Sequence, residues 1–323
     1  IGTVKAVDGI SFDIPKGKTI GFVGESGCGK SVTGLSIMRL LQGPQGQVVG
    51  GNIKFGYNDK AYDLLKMPYS EMRNIRGNEI SMIFQEPMTS LNPVFKVGYQ
   101  IDEVIKLHNK HLRKKEVKER CIVMLKMVGI ARAEGVYDSY PHELSGGMRQ
   151  RIVIAMALSC DPKMIIADEP TTALDVTIQA QILDLMRGLK DRISASIMLI
   201  THDLGVIAEM ADYIIVMYAG RIVEQGNAED IFHNPLHPYT IGLLQSRPSL
   251  FNRDTKRLYS IPGNVPNPIN LPDYCYFRNR CDKCVKQCSG GFPEKYDVSD
   301  THKVSCHLYC NDSAENGGGK NGK

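Results

Sequence analysis

The stretch Gly24-Glu25-Ser26-Gly27-Cys28-Gly29-Lys30-Ser31 decides how the rest of this chain is read. It spells G-x-x-x-x-G-K-S, and its flanks supply the context that the pattern requires. Upstream, Lys18 to Val23 is an apolar run of strand length. Downstream, Ser31 to Leu41 sets Leu35, Met38 and Leu41 on one side of a helix. Strand, glycine loop and helix in this order form an anion cradle. The glycines let backbone N–H groups wrap a β-phosphate at a helix N-terminus, Lys30 reaches the β and γ oxygens, and the Ser31 hydroxyl faces Mg²⁺. A chance glycine-rich turn would lack the strand and the helix.

Further along, Ile80 to Phe84, Met164 to Ala167, Ile197 to Ile200 and Tyr213 to Met217 read as strands, separated by helical segments such as Gly147 to Leu158 and Thr177 to Leu189. This alternation predicts an α/β fold with a mostly parallel, covered sheet. Between Pro87 and Cys160 only helical patterns stand out, around Val97 to Leu107 and Lys114 to Val128, so a helical subdomain over about 87–160 is expected. After Phe232 prolines accumulate, and six of the nine cysteines crowd into Cys275 to Cys310. The expected organisation is a domain over 1–234, a loop-rich extension over 235–310 and a flexible tail over 311–323.

Bulk composition narrows the function. At 323 residues, with 42% apolar and 23% charged residues, the chain suits one large α/β core plus an appendage. Its net charge of +4 is small, and the basic stretch Lys110 to Arg120 carries Glu116 and Glu119, which argues for a solvated face rather than nucleic-acid binding. No apolar run is long enough to cross a bilayer, so any membrane role is expected through partners. The N-terminus shows no basic segment followed by an apolar core, so no signal peptide is visible, and Ile1 suggests a chain that begins inside a longer protein.

Met164-Ile165-Ile166-Ala167-Asp168-Glu169 reads as a buried strand ending in two carboxylates. Asp168 is the candidate Mg²⁺ ligand at the sheet's C-terminal edge. Glu169, one residue on, is the candidate general base that activates water in line with a γ-phosphate. Alone, an Asp-Glu pair at a strand end is usually just an acidic loop, and the glycine loop changes that weighting. His202, in Ile200-Thr201-His202-Asp203, and Gln85, after Ile80 to Phe84, also follow strands. Either one taken singly is more often a hydrogen-bonding structural residue.

Leu144-Ser145-Gly146-Gly147-Met148-Arg149-Gln150-Arg151 resembles the signature motif of ATP-binding cassette (ABC) ATPases and is far more specific than the glycine loop. The resemblance covers Thr3 to about Cys306, with Gln85 matching the Q-loop, Asp168-Glu169 the Walker B end, Ala173-Leu174-Asp175 the D-loop and His202 the switch histidine. It implies ATP held on Gly24 to Ser31 and Val32, Mg²⁺ on Ser31, Gln85 and Asp168, and catalysis by Glu169 with His202 and Gln85. It also implies a head-to-tail dimer in which Ser145, Gly146 and Gly147 face the partner's ATP. The family stacks adenine on an aromatic residue upstream of Val4 to Gly9, ahead of this chain's first residue, so weaker nucleotide affinity is expected without it. Cys28 leaves a thiol in the nucleotide site, where oxidation is expected to block ATP.

Asn234-Pro235-Leu236-His237-Pro238-Tyr239-Thr240 and the Cys-rich end further resemble the dipeptide/oligopeptide importer ATPases, specifically their D-type subunit, a look that nickel importers share. The implied system has a second ATPase subunit as heterodimer partner, a homodimer being possible in isolation. It also has two transmembrane permease subunits and an extracytoplasmic substrate-binding protein, with this chain peripheral on the cytoplasmic face of a prokaryotic membrane.

In a cytoplasmic setting disulfides are disfavoured, so Cys275, Cys281, Cys284, Cys288, Cys306 and Cys310 point to a metal, and their spacing leaves zinc and iron–sulfur open. The resemblance implies a 4Fe–4S cluster on Cys275, Cys281, Cys288 and Cys306, with Zn²⁺ as the alternative. Cys284 and Cys310 leave the ligand set open. A soluble, non-transport ABC ATPase clamping nucleic acid or ribosomes would bring a second cassette, a coiled coil or a basic face. A silent binding module would lack Lys30, Glu169 or His202.

Overall fold

The computed structural model describes residues 2–57, 60–85, 90–172, 174–246 and 259–310. In chain order the elements begin β1 (Thr19–Val23), α1 (Lys30–Ile37), β2 (Lys54–Tyr57), β3 (Lys60–Asp63), α2 (Tyr69–Ile75), β4 (Ile80–Ile83), α3 (Val97–His108) and α4 (Lys114–Met127). They continue α5 (Ala133–Tyr137), α6 (Gly146–Leu158), β5 (Met164–Asp168), α7 (Val176–Ile193), β6 (Ser196–Ile200), α8 (Leu204–Met210), β7 (Tyr213–Tyr218) and β8 (Arg221–Asn227). The last are α9 (Ala228–His233), α10 (Pro238–Gln245), β9 (Tyr296–Asp297), β10 (Lys303–Val304) and α11 (His307–Cys310). The chain divides into two compact units, one of Ile1–Phe12, Ile20–Thr33 and Thr201–Lys323, the other of Asp13–Thr19 and Gly34–Ile200.

The second unit is built on parallel strands. β4 pairs with β5 from Ile80 opposite Met164, and β5 pairs with β6 from Met164 opposite Ser196 to Asp168 opposite Ile200. All three are buried end to end, as a parallel sheet covered on both faces requires. β2 and β3 make a separate antiparallel pair. The expected helical stretch is present as α3 to α6, its core drawn from Ile101, Ile105, Val117, Cys121 and Leu125 at helical spacing. The buried Asp102 carboxylate accepts from the Tyr137 hydroxyl at 2.8 Å, and burial raises its pKa.

In the first unit, β1 runs parallel to β7, from Ile20 opposite Tyr213 to Val23 opposite Val216. β7 then turns back into antiparallel β8, and β8 pairs with β10, which pairs with β9. Residues 303–304, from the Cys-rich end, thus lengthen this unit's sheet. α1 ends at Ile37, earlier than the periodicity suggests, and Arg39 just beyond takes a φ of +51°.

Glu224 of β8 organises the start of the extension. Wholly buried, its carboxylate accepts the N–H groups of Leu236 at 2.8 Å and His237 at 2.9 Å, and pairs with His302 Nε2 at 2.8 Å. His237 then caps α10 by accepting the Tyr239 N–H on Nδ1 at 3.1 Å. Burial pushes the His237 pKa down to about 3, so the native ring stays neutral while the unfolded one protonates below about 6.5. The unfolded state therefore binds more protons between these values, and His237 withdraws stability as pH falls. Relative to His237→Asn, which can still cap, the parent should lose about 1.4 kcal/mol per pH unit below 6.5 in chemical unfolding at pH 5.5 and 7.5. Parallel pH profiles would count against a neutral buried ring.

No helix among the described residues is long and apolar enough to cross a membrane.

Candidate functional site

The loop after β1 needs its glycines for reasons of space as well as torsion. Gly24 at φ +150° and Gly29 at φ +101° occupy backbone conformations that side chains rarely adopt, and a Cβ would press into the carbonyl oxygens of Met217 and Ala6 respectively. With the backbone so wound, the buried Lys30 ammonium donates to the carbonyls of Gly24 at 2.7 Å and Glu25 at 3.1 Å, and to Cys28 Sγ at 3.6 Å. Lys30 is thus held inside its own loop, at the N-terminus of α1. Cys28 is buried, and burial raises its pKa despite the neighbouring ammonium. A buried, protonated thiol is a poor target for oxidants, against the reactivity expected from sequence.

The loop residue Glu25 is tied at three points. Its N–H donates to the Tyr239 hydroxyl at 2.8 Å, its carbonyl accepts from Lys30, and its carboxylate takes both forks of Arg280, at 2.6 and 3.0 Å. In the same unit His202 is exposed after β6. Its neighbour Asp203 caps α8 by accepting the Gly205 N–H at 2.7 Å.

The second unit carries the paired carboxylates. Asp168, buried, ends β5, and Glu169 follows with a φ of +48°. A left-handed glutamate costs roughly 1–2 kcal/mol, and its N–H bond to the Ile200 carbonyl at 2.8 Å helps hold it there. Gln85 Nε2 donates to Glu169 Oε2 at 3.1 Å, and the Thr172 hydroxyl donates to the same oxygen at 2.8 Å. Two of the sequence candidates, Gln85 and Glu169, are therefore in direct contact, with Thr172 as an unforeseen third member. Gln150 of α6 donates to the Pro170 carbonyl, linking that helix to the turn after Glu169. At the start of α6, Ser145 accepts the Met148 N–H at 3.3 Å, and Ser145 and Gly146 are exposed. Asp175 caps α7, accepting from Ile178 N–H at 3.0 Å; Ala173 lies outside the described residues.

Residues 7–172 match the family model described as ABC transporter. The chain belongs to the ABC transporter family. Residues 223–288 match the model of the oligopeptide/dipeptide transporter C-terminal region. Among similar proteins, the oligopeptide transport ATP-binding protein AppD of Bacillus subtilis is 52% identical over 97% of this chain and 93% of its own length. The dipeptide transport ATP-binding protein DppD of the same organism is 50% identical over 95% of this chain and 90% of its own. The ATP-binding cassette MJ0796, solved as a dimer bound to ADP and Pi, superposes with a TM-score of 0.59 over 69% of this chain and 90% of its own, at 25% identity. The ABC ATPase reading of the α/β fold and of the enzyme class thus stands.

The thiols of this ABC subunit gather in the Cys-rich end. Cys275, Cys288 and Cys306 are buried and Cys281 is half-buried, and the Cys275 N–H donates to the Cys288 carbonyl at 3.2 Å. Burial pushes the Cys275 thiol up to about 12, and Cys288, Cys306 and Cys281 add to the rise. Cys284 is exposed. The donor chemistry suits iron or zinc. However, among the described residues no group of three or more His, Cys, Asp or Glu is placed as the ligands of one ion. The iron–sulfur expectation is also without support in the family matches.

Proposed function

We propose that this ABC subunit is the ATP-hydrolysing motor of an importer for dipeptides and oligopeptides. The observation that carries the reading is the Gly24–Ser31 loop wound around Lys30 at the start of a helix, in a chain whose other segments match peptide-transport relatives. Gly24 to Val32 would bind the ATP phosphates, with Ser31, Asp168 and Gln85 holding Mg²⁺, which neutralises phosphate charge. Glu169 would draw the proton from the attacking water, oriented by Gln85 and Thr172, while His202 would hydrogen-bond the γ-phosphate. Ser145 and Gly146, exposed, and the half-buried Gly147, all at the start of α6, would present backbone donors to ATP on the partner ATPase. In this reading residues 1–234 are the nucleotide-binding domain, with its helical subdomain at about 87–160, and 235–310 its extension. The chain works at the cytoplasmic face of the membrane beside a second ATPase, under two permease subunits fed by a binding protein.

The test is ATP hydrolysis by the complete complex in proteoliposomes. Turnover should rise when the binding protein carries a peptide and stay flat with nickel salts. Stimulation by nickel alone would move the assignment to a nickel importer, and no hydrolysis under any condition would remove the motor reading.

The same proposal includes a 4Fe–4S cluster on Cys275, Cys281, Cys288 and Cys306, whose support is that Cys275 lies close enough to the other three thiols for each to raise its pKa. Anaerobically prepared protein should then contain iron and acid-labile sulfide in equal amounts. Zinc without sulfide would install the alternative, and neither metal would sink both.

A further inference from the structure

A phosphate-binding loop is an unfavourable place for a carboxylate, yet Glu25 sits within this one. Its charge is met by Arg280, whose guanidinium binds both carboxylate oxygens, at 2.6 and 3.0 Å. The Arg280 side chain is only 4% exposed, against 29% for Glu25. It is fixed from behind as well: Nε donates to the Pro262 carbonyl at 2.9 Å, and the guanidinium lies over the rings of Tyr218 and Phe277 at 5.8 and 5.9 Å. Tyr239 completes the arrangement by accepting the Glu25 N–H. A buried arginine held by a carbonyl and two rings is a pre-organised fork, and a planar fork suits a carboxylate better than a point charge would.

We propose that Arg280 is a positioning residue for ATP, which neutralises the Glu25 carboxylate and draws it away from the phosphates, so that the extension sets the affinity of the nucleotide loop. This rests on the reading that Gly24–Ser31 binds ATP. Without Arg280, a partly exposed carboxylate stands uncompensated in the loop and repels the triphosphate, an effect that low ionic strength magnifies. Arg280 acts only through Glu25, so its loss matters only while Glu25 is charged.

The experiment measures the Kd of Mg·ATP by titration calorimetry, with the KM and kcat of hydrolysis, for the full chain and for Arg280→Met, Glu25→Gln and the double variant, at two salt concentrations. Arg280→Met should weaken binding about tenfold, more at low salt, and raise KM with little change in kcat. The double variant should return to within about threefold of the parent, and Arg280→Lys, which keeps the charge but not the fork, should fall between the parent and Arg280→Met. Rescue on removing a second group is a readout that a merely structural role for Arg280 would not give. Where Arg280→Met does not fold, Arg280→Gln takes its place. An Arg280→Met protein that binds like the parent overturns the proposal, as does a double variant no better than Arg280→Met. A parent chain that binds no ATP would instead overturn the reading of the loop, leaving the two failures distinguishable.

Discussion

Replacing Glu169 by glutamine is expected to lower ATP turnover roughly 10²- to 10⁴-fold, the range for loss of a positioned general base, while leaving ATP binding intact. The substitution is nearly isosteric. A glutamine carbonyl can still accept from Gln85 Nε2 and from the Thr172 hydroxyl, so the turn after β5 keeps its hydrogen bonds. Only the proton acceptor is removed. The left-handed backbone at this position persists, with its bond to the Ile200 carbonyl, and the melting temperature should hardly move. Glu169→Gly supplies a contrast: it relieves the left-handed strain and should be stabilised by up to about 1 kcal/mol while equally inactive. Steady-state phosphate release on the assembled complex, with nucleotide binding measured beside it, checks both. Undiminished hydrolysis by Glu169→Gln would take the base role away from Glu169.

Glu224→Ala should be the most damaging single change for stability, at about 3–5 kcal/mol. The carboxylate is wholly buried and satisfies three donors, the N–H groups of Leu236 and His237 and the His302 ring. Alanine leaves those donors buried without an acceptor, and each carries its own desolvation cost. Glu224→Gln keeps one acceptor oxygen and should lose less. Because Leu236 and His237 lead into α10, the same change should loosen Tyr239 and with it the Glu25 N–H bond, so ATP affinity falls alongside stability. Denaturant unfolding followed by nucleotide titration checks the pair. An alanine variant within about 1 kcal/mol of the parent would show that water replaces the carboxylate without loss.

Much of the framework was legible because it is written locally. β1, β4, β5, β6 and β7 are apolar runs, three of them ended by Gly24, Asp168 and Thr201, and α3, α4, α6 and α7 carry their apolar faces at helical spacing. β8 escaped notice because Glu224 and Gln225 put polar side chains into a buried strand. Burying Glu224 depends on His302 and the extension, remote in sequence. β9 and β10, two residues each, have no pattern of their own and are strands only because β8 offers an edge. In the site, the glycine loop announced itself by spacing, Asp168-Glu169 by its place at the end of an apolar strand, and the signature by its resemblance to the family motif. Thr172 and Arg280 did not, since a threonine in a turn or an arginine between cysteines is ordinary until its partner is known. The thiol of Cys28 was visible but its burial was not, because its packing over Gly24 is a property of the folded loop.

The first unit is threaded from both ends of the chain, and synthesis must respect that order. β1 emerges early from the ribosome, yet its partner β7 lies at Tyr213–Tyr218, and Arg280 and β10 come later still. At translation rates of about 5–20 residues per second, β1 and the glycine loop wait many seconds with an apolar edge open. The second unit, whose three parallel strands lie within residues 80–200, can close in the meantime. The nucleotide loop is therefore among the last parts to receive its supports. A nascent chain cut short before Arg280 would carry every motif of an ATPase and lack the brace on its phosphate loop.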